Sequence, residues 1–207
     1  MSDPNNREIE EKLAIVVNDM VMMQIGLLCT LYFDTAHECE TRETIIQIAD
    51  EYWSECGENL RWMTDPKTYH WKALKGCPVP KIREHISKLS ENHSWQITLH
   101  GGPHKDEASD FRFEAAGTPA WELKKNYLSY MQVCFPLTWF ADRKRKMPAL
   151  ILNWCQKLKP LHGYGGLGIL QSLNTAEQDR YESHAGAIAR RFPGIEIDYP
   201  LSHALYD

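Results

Sequence analysis

Three stretches of this 207-residue chain have residue types or spacings that could support chemistry. The first is Leu161 to Leu173, read Leu-His-Gly-Tyr-Gly-Gly-Leu-Gly-Ile-Leu-Gln-Ser-Leu, where Gly163, Gly165 and Gly168 satisfy G-x-G-x-x-G. That spacing cradles a pyrophosphate only at a strand-to-helix turn, because the free N–H groups of a helix N-terminus must face the phosphate. Here the order is reversed, with a helical pattern before the glycines and an apolar, strand-like run after them. The glycines read instead as a turn at His162-Gly163 and the entry to a central strand, Leu167 to Leu173, packed under something bulky.

The second stretch, His100-Gly-Gly-Pro-His104-Lys-Asp106, begins like the oxyanion turn of some esterases. That chemistry also needs a G-x-S-x-G nucleophile elbow, and the sequence contains none. His100, His104 and Asp106 match no established metal-ligand spacing, so the stretch reads as a polar hairpin turn. The third stretch, Arg143-Lys-Arg-Lys146, could attract phosphate, but it has no interleaved aromatics and reads as a solvated helix face. No metal and no cofactor is expected. The six cysteines, at positions 29, 39, 56, 77, 134 and 155, form no C-x-x-C pair and fit reduced thiols of a cytoplasmic protein.

Charge is the most informative compositional feature. Met1 to Pro66 holds 14 Asp and Glu against 4 Lys and Arg, a net of -10, whereas Lys67 to Asp207 has a net of +5. So uneven a field steers a cationic partner and says little about the fold. The N-terminal Met-Ser-Asp-Pro-Asn-Asn-Arg-Glu lacks the basic start and apolar run of a signal peptide, and no stretch approaches eighteen apolar residues. The expected location is cytoplasmic, with neither membrane nor nucleic acid as a partner.

The elements that must position these residues follow from periodicity. Lys12–Met23 and Gly26–Phe33 read as an antiparallel pair turning at Gln24-Ile25-Gly26. Ile45, Ala49, Tyr52, Trp53 and Cys56 then make one face of a helix capped near Thr41, with Glu43, Asp50, Glu51 and Glu58 on its other side. Trp62 to Pro80 has no clear period and reads as an irregular connection, followed by a short helix from Lys81 to Leu89. Trp95–Leu99, Phe111–Ala115 and Leu123–Phe135 read as strands. A helical stretch, Thr138 to Lys159, must accommodate Pro148 by a kink or a restart. After the glycine-rich strand, Asn174 and Thr175 open a helix burying Tyr181, Ala185, Ile188, Ala189 and Phe192, and Ile195–Tyr199 is a short strand or extended tail. The sum is an α+β fold, mainly antiparallel, with about four covering helices in the order ββα-α-βββ-α-β-α. Residues 1–207 read as one domain. Two related halves, about 1–90 and 91–207, are compatible with this order, although no internal repeat marks them. The chain is long enough to bury roughly 70% of its extended surface.

Leu161-His-Gly-Tyr-Gly-Gly-Leu-Gly, the preceding helix with Trp154, and Arg191-Phe-Pro-Gly-Ile-Glu-Ile-Asp-Tyr-Pro-Leu-Ser-His203 together resemble the type VI secretion immunity family, most strongly over residues 123–207. That resemblance implies a non-enzymatic protein that binds and neutralises a cognate effector toxin, often a nuclease, by covering its active site. It implies no catalytic residues. A nuclease needs a basic groove for phosphates, and Glu43, Asp50, Glu51 and Glu58 are the candidate residues to meet it. A homodimer is compatible with this reading. The competing reading is a small hydrolase or nucleotide-binding enzyme using the His100/His104 loop and the Gly163–Gly168 stretch. It lacks a nucleophile, base and orienter at recognisable spacing.

Overall fold

The apolar run that starts at Met20 does not break at Gly26. It continues as a single fourteen-residue strand, and the turn before it is Asn18-Asp19, both with positive φ (51° and 63°). Two left-handed residues make the tight hairpin whose twist matches its strands, and Asn and Asp tolerate that conformation. The computed structural model describes residues 13–125, 127–142, 146–200 and 204. Its strands are β1 (Ile15–Val17), β2 (Met20–Phe33), β3 (Trp62–Thr64), β4 (Trp71–Ala73), β5 (Trp95–His100), β6 (Arg112–Gly117), β7 (Ser129–Phe135), β8 (His162–Gln171) and β9 (Glu196–Ile197). The helices are α1 (Cys39–Cys56), α2 (Val79–Ile86), α3 (Leu137–Asp142), α4 (Lys146–Leu158) and α5 (Thr175–Arg191). The α+β architecture is as expected, with five helices among the described residues.

All nine strands form one sheet in the order β4-β3-β5-β6-β7-β2-β8-β9, with β1 beside the start of β2. Every pairing is antiparallel except β8 with β9. Gly26 is a glycine because of close packing: a Cβ there would come within 2.5 Å of Leu170 Cδ1 and 3.3 Å of the Phe135 carbonyl oxygen. It lies opposite Gly168 of β8, so the two glycines bring these neighbouring strands' side chains together.

Register divides the sheet into two unlike faces. Leu27, Cys29, Leu31 and Phe33 of β2 share a face with Met131, Val133, Phe135, Phe113, Ala115, Ile97 and Leu99, and this face carries the main apolar core. Ile45, Ala49, Tyr52 and Cys56 of α1 and Trp154 and Leu158 of α4 pack onto it. Tyr52 lies 5.4 Å from Phe135 and 5.7 Å from Phe113, ring centre to ring centre, and its hydroxyl donates to the Cys134 carbonyl at 2.8 Å. Burying each such ring contributes about 1.5–3 kcal/mol. A second apolar cluster, Met23, Ile25 and Ile169, is covered by Ala185 and Ile188 of α5. That helix begins as the capping pattern requires, with the Asn174 side chain accepting the Ala176 N–H at 3.1 Å. Phe192, expected in this core, is 40% exposed past the helix end.

Several expected boundaries move. Trp62–Pro80 contains the β3–β4 hairpin, whose turn is wound around Asp65. The Asp65 carboxylate accepts the Lys67 and Thr68 N–H groups at 3.0 and 3.2 Å, and the Lys72 and Lys81 ammonium groups at 2.7 and 2.8 Å. Leu123–Lys125, expected to open this strand, is a 3-10 turn, and β7 begins at Ser129. Pro148 sits in the first turn of α4, where it displaces no helical hydrogen bond. The cap of α1 is Glu38 and not Thr41, whose hydroxyl donates to Thr35 Oγ1. Finally, β8 starts at His162, and its first half is exposed at the sheet edge because β9 pairs only with Gly168 and Ile169. The glycines there lie beside β2 and beneath no bulky cover.

Candidate functional site

The four carboxylates singled out from the sequence fall into two kinds. Glu51 is anchored internally: its Oε2 accepts from the buried Trp154 indole N–H at 2.9 Å and from Asn153 Nδ2 at 3.3 Å, and its Oε1 pairs with Lys157. Glu43 pairs with Arg83 of α2. Asp50 and Glu58 are exposed and make no ion pair among the described residues. Of the four, Glu43 and Glu51 brace α1 against its neighbours and Asp50 points its charge at solvent from the same helix, whereas Glu58, expected on that helix, lies past its end in the 3-10 turn Gly57–Asn59.

On the other side of the sheet, the strands present polar groups where a core would ordinarily stand. Arg112 and Glu114 of β6 lie opposite Cys134 and Gln132 of β7, and Gln132 lies opposite Thr30 of β2. Arg112 Nη2 donates to Gln132 Oε1 at 2.6 Å and to the Asp198 carboxylate, and Gln132 Nε2 donates to Thr30 Oγ1 at 2.9 Å. Burial is the largest single influence and opposes the Arg112 charge, but Asp198, Cys134 and Glu114 together outweigh it and hold the guanidinium firmly protonated. Asp198 follows β9, and from there the chain crosses this face: Tyr32 Oη donates to the Pro200 carbonyl at 2.6 Å, and the Leu128 N–H donates to the Ala204 carbonyl at 2.7 Å.

Between that crossing segment and the β3–β4 hairpin lies a cleft of about 390 Å³. Its floor is Gln96, Thr98, Arg112, Glu114 and Tyr130, and its walls are Tyr69 and Trp71 on one side and Tyr199 and Pro200 on the other. Glu114 Oε1 accepts from Tyr130 Oη at 2.5 Å, and burial raises the pKa of this carboxyl above its ordinary value. Past Tyr130 the cleft continues into a second hollow of about 400 Å³ lined by Tyr127, Leu128 and Ala204. A separate apolar groove of about 680 Å³ runs between α4 and the glycine-rich half of β8. Cys29 in that groove has its thiol pushed up to about 12, first by burial, which leaves it unreactive.

The histidine loop does not converge. His100 is fully buried, its ring edge-on to Trp71 with centres 5.0 Å apart, and its Nδ1 accepts the Gly102 N–H at 3.1 Å. His104 is exposed, and its backbone N–H donates to Glu107 at 2.7 Å. Among the described residues no group of three His, Cys, Asp or Glu side chains could hold a metal. Gly163 to Gly168 are part of β8, so no helix N-terminus follows them. Of the basic run, Arg143, Lys144 and Arg145 lie outside the described residues, and Lys146 pairs with Glu55 at 2.7 Å. No helix among the described residues is long and apolar enough to cross a membrane.

Sequence reasoning missed the polar cleft. The signal was present in the alternation Arg112-Phe-Glu114-Ala-Ala116, which reads equally as a strand with one solvent-facing side. What turns that side into a cleft is Asp198, 86 positions away.

The chain thus combines a carboxylate-bearing helix face with an aromatic-walled cleft on an α+β scaffold. The TsiV family model, described as type VI immunity for VRR-NUC, matches residues 44–206, and the chain belongs to this family. Among solved structures it is similar to the Pseudomonas aeruginosa T6SS protein PA0821, with a TM-score of 0.83 and 21% identity over 94% of this chain and 56% of that one. The chain thus spans just over half of that protein's length, and at this identity the likeness is one of fold. No curated protein matches the chain.

Proposed function

We propose that the chain binds a VRR-NUC nuclease effector delivered by type VI secretion and covers its active site, performing no reaction of its own. The family match over residues 44–206 carries this reading. A nuclease must present a cationic groove to hold DNA phosphates. Glu43, Asp50 and Glu51 of α1, with Glu58 in the turn just after it, supply the opposite charge, and Asp50 and Glu58 are the exposed members. Such complementarity speeds capture and discriminates against wrong partners, while aromatic anchors supply much of the affinity. Protection would be exerted in the cytoplasm, where the DNA is.

The test is DNA cleavage by the purified effector, titrated with this protein. Stoichiometric loss of cleavage, relieved competitively by excess DNA, is the expected result. Undiminished cleavage at saturating protein overturns the proposal, and inhibition that excess DNA cannot relieve overturns the active-site part of it.

A further inference from the structure

We propose that the cleft on the polar sheet face is a receptor for a guanidinium group, and that an arginine side chain of the effector enters it to sit on Glu114 between the Tyr69/Trp71 and Tyr130/Tyr199 rings. The effector as source rests on the function proposed above; the chemistry of the cleft does not.

Charge is the first argument. Arg112 commits its Nη2 to Asp198 and Gln132 and reaches Glu114 only through its longer-range charge, and Glu114 makes no ion pair within 4 Å among the described residues. Glu114 has one oxygen held by Tyr130 and lies at the bottom of a cavity open to solvent through its aromatic rim. Burial raises the proton affinity of this carboxyl above its ordinary value even though the Arg112 charge and the Tyr130 hydrogen bond work the other way, so its negative charge remains incompletely compensated. An incoming cation would complete that compensation.

Shape is the second. A volume of about 390 Å³ is at the small end of ligand sites, suited to a side chain and not to a folded element. The rim offers Tyr69 and Tyr199, which are 49% and 50% exposed, with Trp71 partly buried behind them. Ring faces around a carboxylate favour a planar cation that can stack and present several donors, which selects guanidinium over ammonium. The Thr98 hydroxyl and Gln96 amide stand beside Glu114 to take part in the remaining hydrogen bonds.

Pre-organisation is the third. Tyr69 has φ of 56°, a left-handed conformation that costs a bulky residue about 1–3 kcal/mol. It is held there because its N–H donates to the Asp65 carbonyl at 2.8 Å, while the Asp65 N–H donates to the His70 carbonyl at 2.8 Å. The Asp65 carboxylate gathers Lys72, Lys81 and two backbone N–H groups to fix the turn, and these contacts hold it well below the usual carboxylate range. The outcome of this construction is one half-exposed phenol ring at the mouth of the cleft. The opposite wall is fixed equally firmly, by the Asp198–Arg112 pair and the Tyr32–Pro200 hydrogen bond.

The experiment titrates the intact protein with N-acetyl-arginine amide and with its uncharged isostere N-acetyl-citrulline amide, following amide chemical shifts by NMR. The arginine compound is expected to saturate in the millimolar range with shifts centred on Tyr69, Glu114 and Tyr199, and the citrulline compound to bind at least tenfold more weakly. Glu114→Gln and, separately, Tyr69→Ala should each weaken arginine amide at least tenfold. Equal binding of the two compounds, no saturable binding, or indifference to both substitutions overturns the proposal. In the effector complex, Glu114→Gln should raise Kd at least tenfold with little change in association rate. Unchanged effector affinity overturns the assignment of the occupant. Saturable arginine binding alongside a failure of the wild-type protein to capture the effector would instead overturn the proposed function and leave the guanidinium site standing.

Discussion

Arg112 of β6 and Asp198, 86 positions later, form a salt bridge in which both side chains are only 2% exposed. The pair ties the chain after β9 to the middle of the sheet. Breaking one side of such a pair strands a buried charge, which costs about 3–5 kcal/mol. Asp198→Ala is therefore expected to lower stability in urea by that amount and to open the 198–204 segment to limited proteolysis. Replacing both residues with apolar ones of similar size, Arg112→Met with Asp198→Leu, should recover much of the loss, since the stranded charge goes with them.

Glu51 is expected to matter for stability before it matters for binding. Its carboxylate is the acceptor for the Trp154 indole N–H, and Trp154 is fully buried. Glu51→Ala leaves that donor unpaired and removes the Lys157 and Asn153 contacts, for a loss of about 1–3 kcal/mol in chemical denaturation. Trp154 fluorescence should report the change at its own site.

The exposed carboxylates allow the steering argument to be tested separately. Asp50→Lys with Glu58→Lys changes charge at two positions that make no ion pair among the described residues, so folding stability should move by less than about 0.5 kcal/mol. Effector association at low salt should slow about tenfold or more, and the difference should shrink as salt screens the field. Reversing Glu43 and Glu51 as well should slow association further, with a stability cost that the pair alone does not have.

Acid stability should depend on His100. Burial, then the nearby Arg112 charge, lowers its pKa from 6.5 to about 4. The unfolded chain therefore binds a proton here that the folded chain refuses between these values, so stability is complete above pH 6.5 and falls as pH drops toward 4. At about 1.4 kcal/mol per unit, the contribution reaches roughly 3 kcal/mol. His100→Asn should flatten that part of the stability-versus-pH curve. Glu114 and Asp110, whose values burial raises, act in the opposite sense in both proteins and cancel in the comparison.

Where a side chain's fate is decided by near neighbours in sequence, the chain was legible. Ile45, Ala49, Tyr52 and Cys56 repeat at helical spacing and all four are fully buried, and Asn174 caps the helix its position announces. The β5–β6 hairpin was equally plain, because alternation and a glycine-proline turn agree. Legibility failed where distant partners decide. Gly26 resembles a turn until Leu170 and Gly168 are seen against it. The β3–β4 hairpin has no period because one aspartate, drawing on Lys72 and Lys81, organises it. The polar cleft was invisible for the same reason, since Arg112 and Glu114 line a cleft only once Asp198, Tyr199 and Pro200 stand against them.

The placement of β2 between β7 and β8 has a consequence for synthesis in the cell. Phe33 leaves the ribosome about a hundred residues before its first partner on β7, and β8 follows later still. At about 5–20 residues per second, this fourteen-residue apolar segment waits roughly 5–20 s with both edges bare beyond the Met20–Met23 stretch that β1 can pair. Chaperone supply should therefore limit the yield of active protein more strongly than its final thermodynamic stability does.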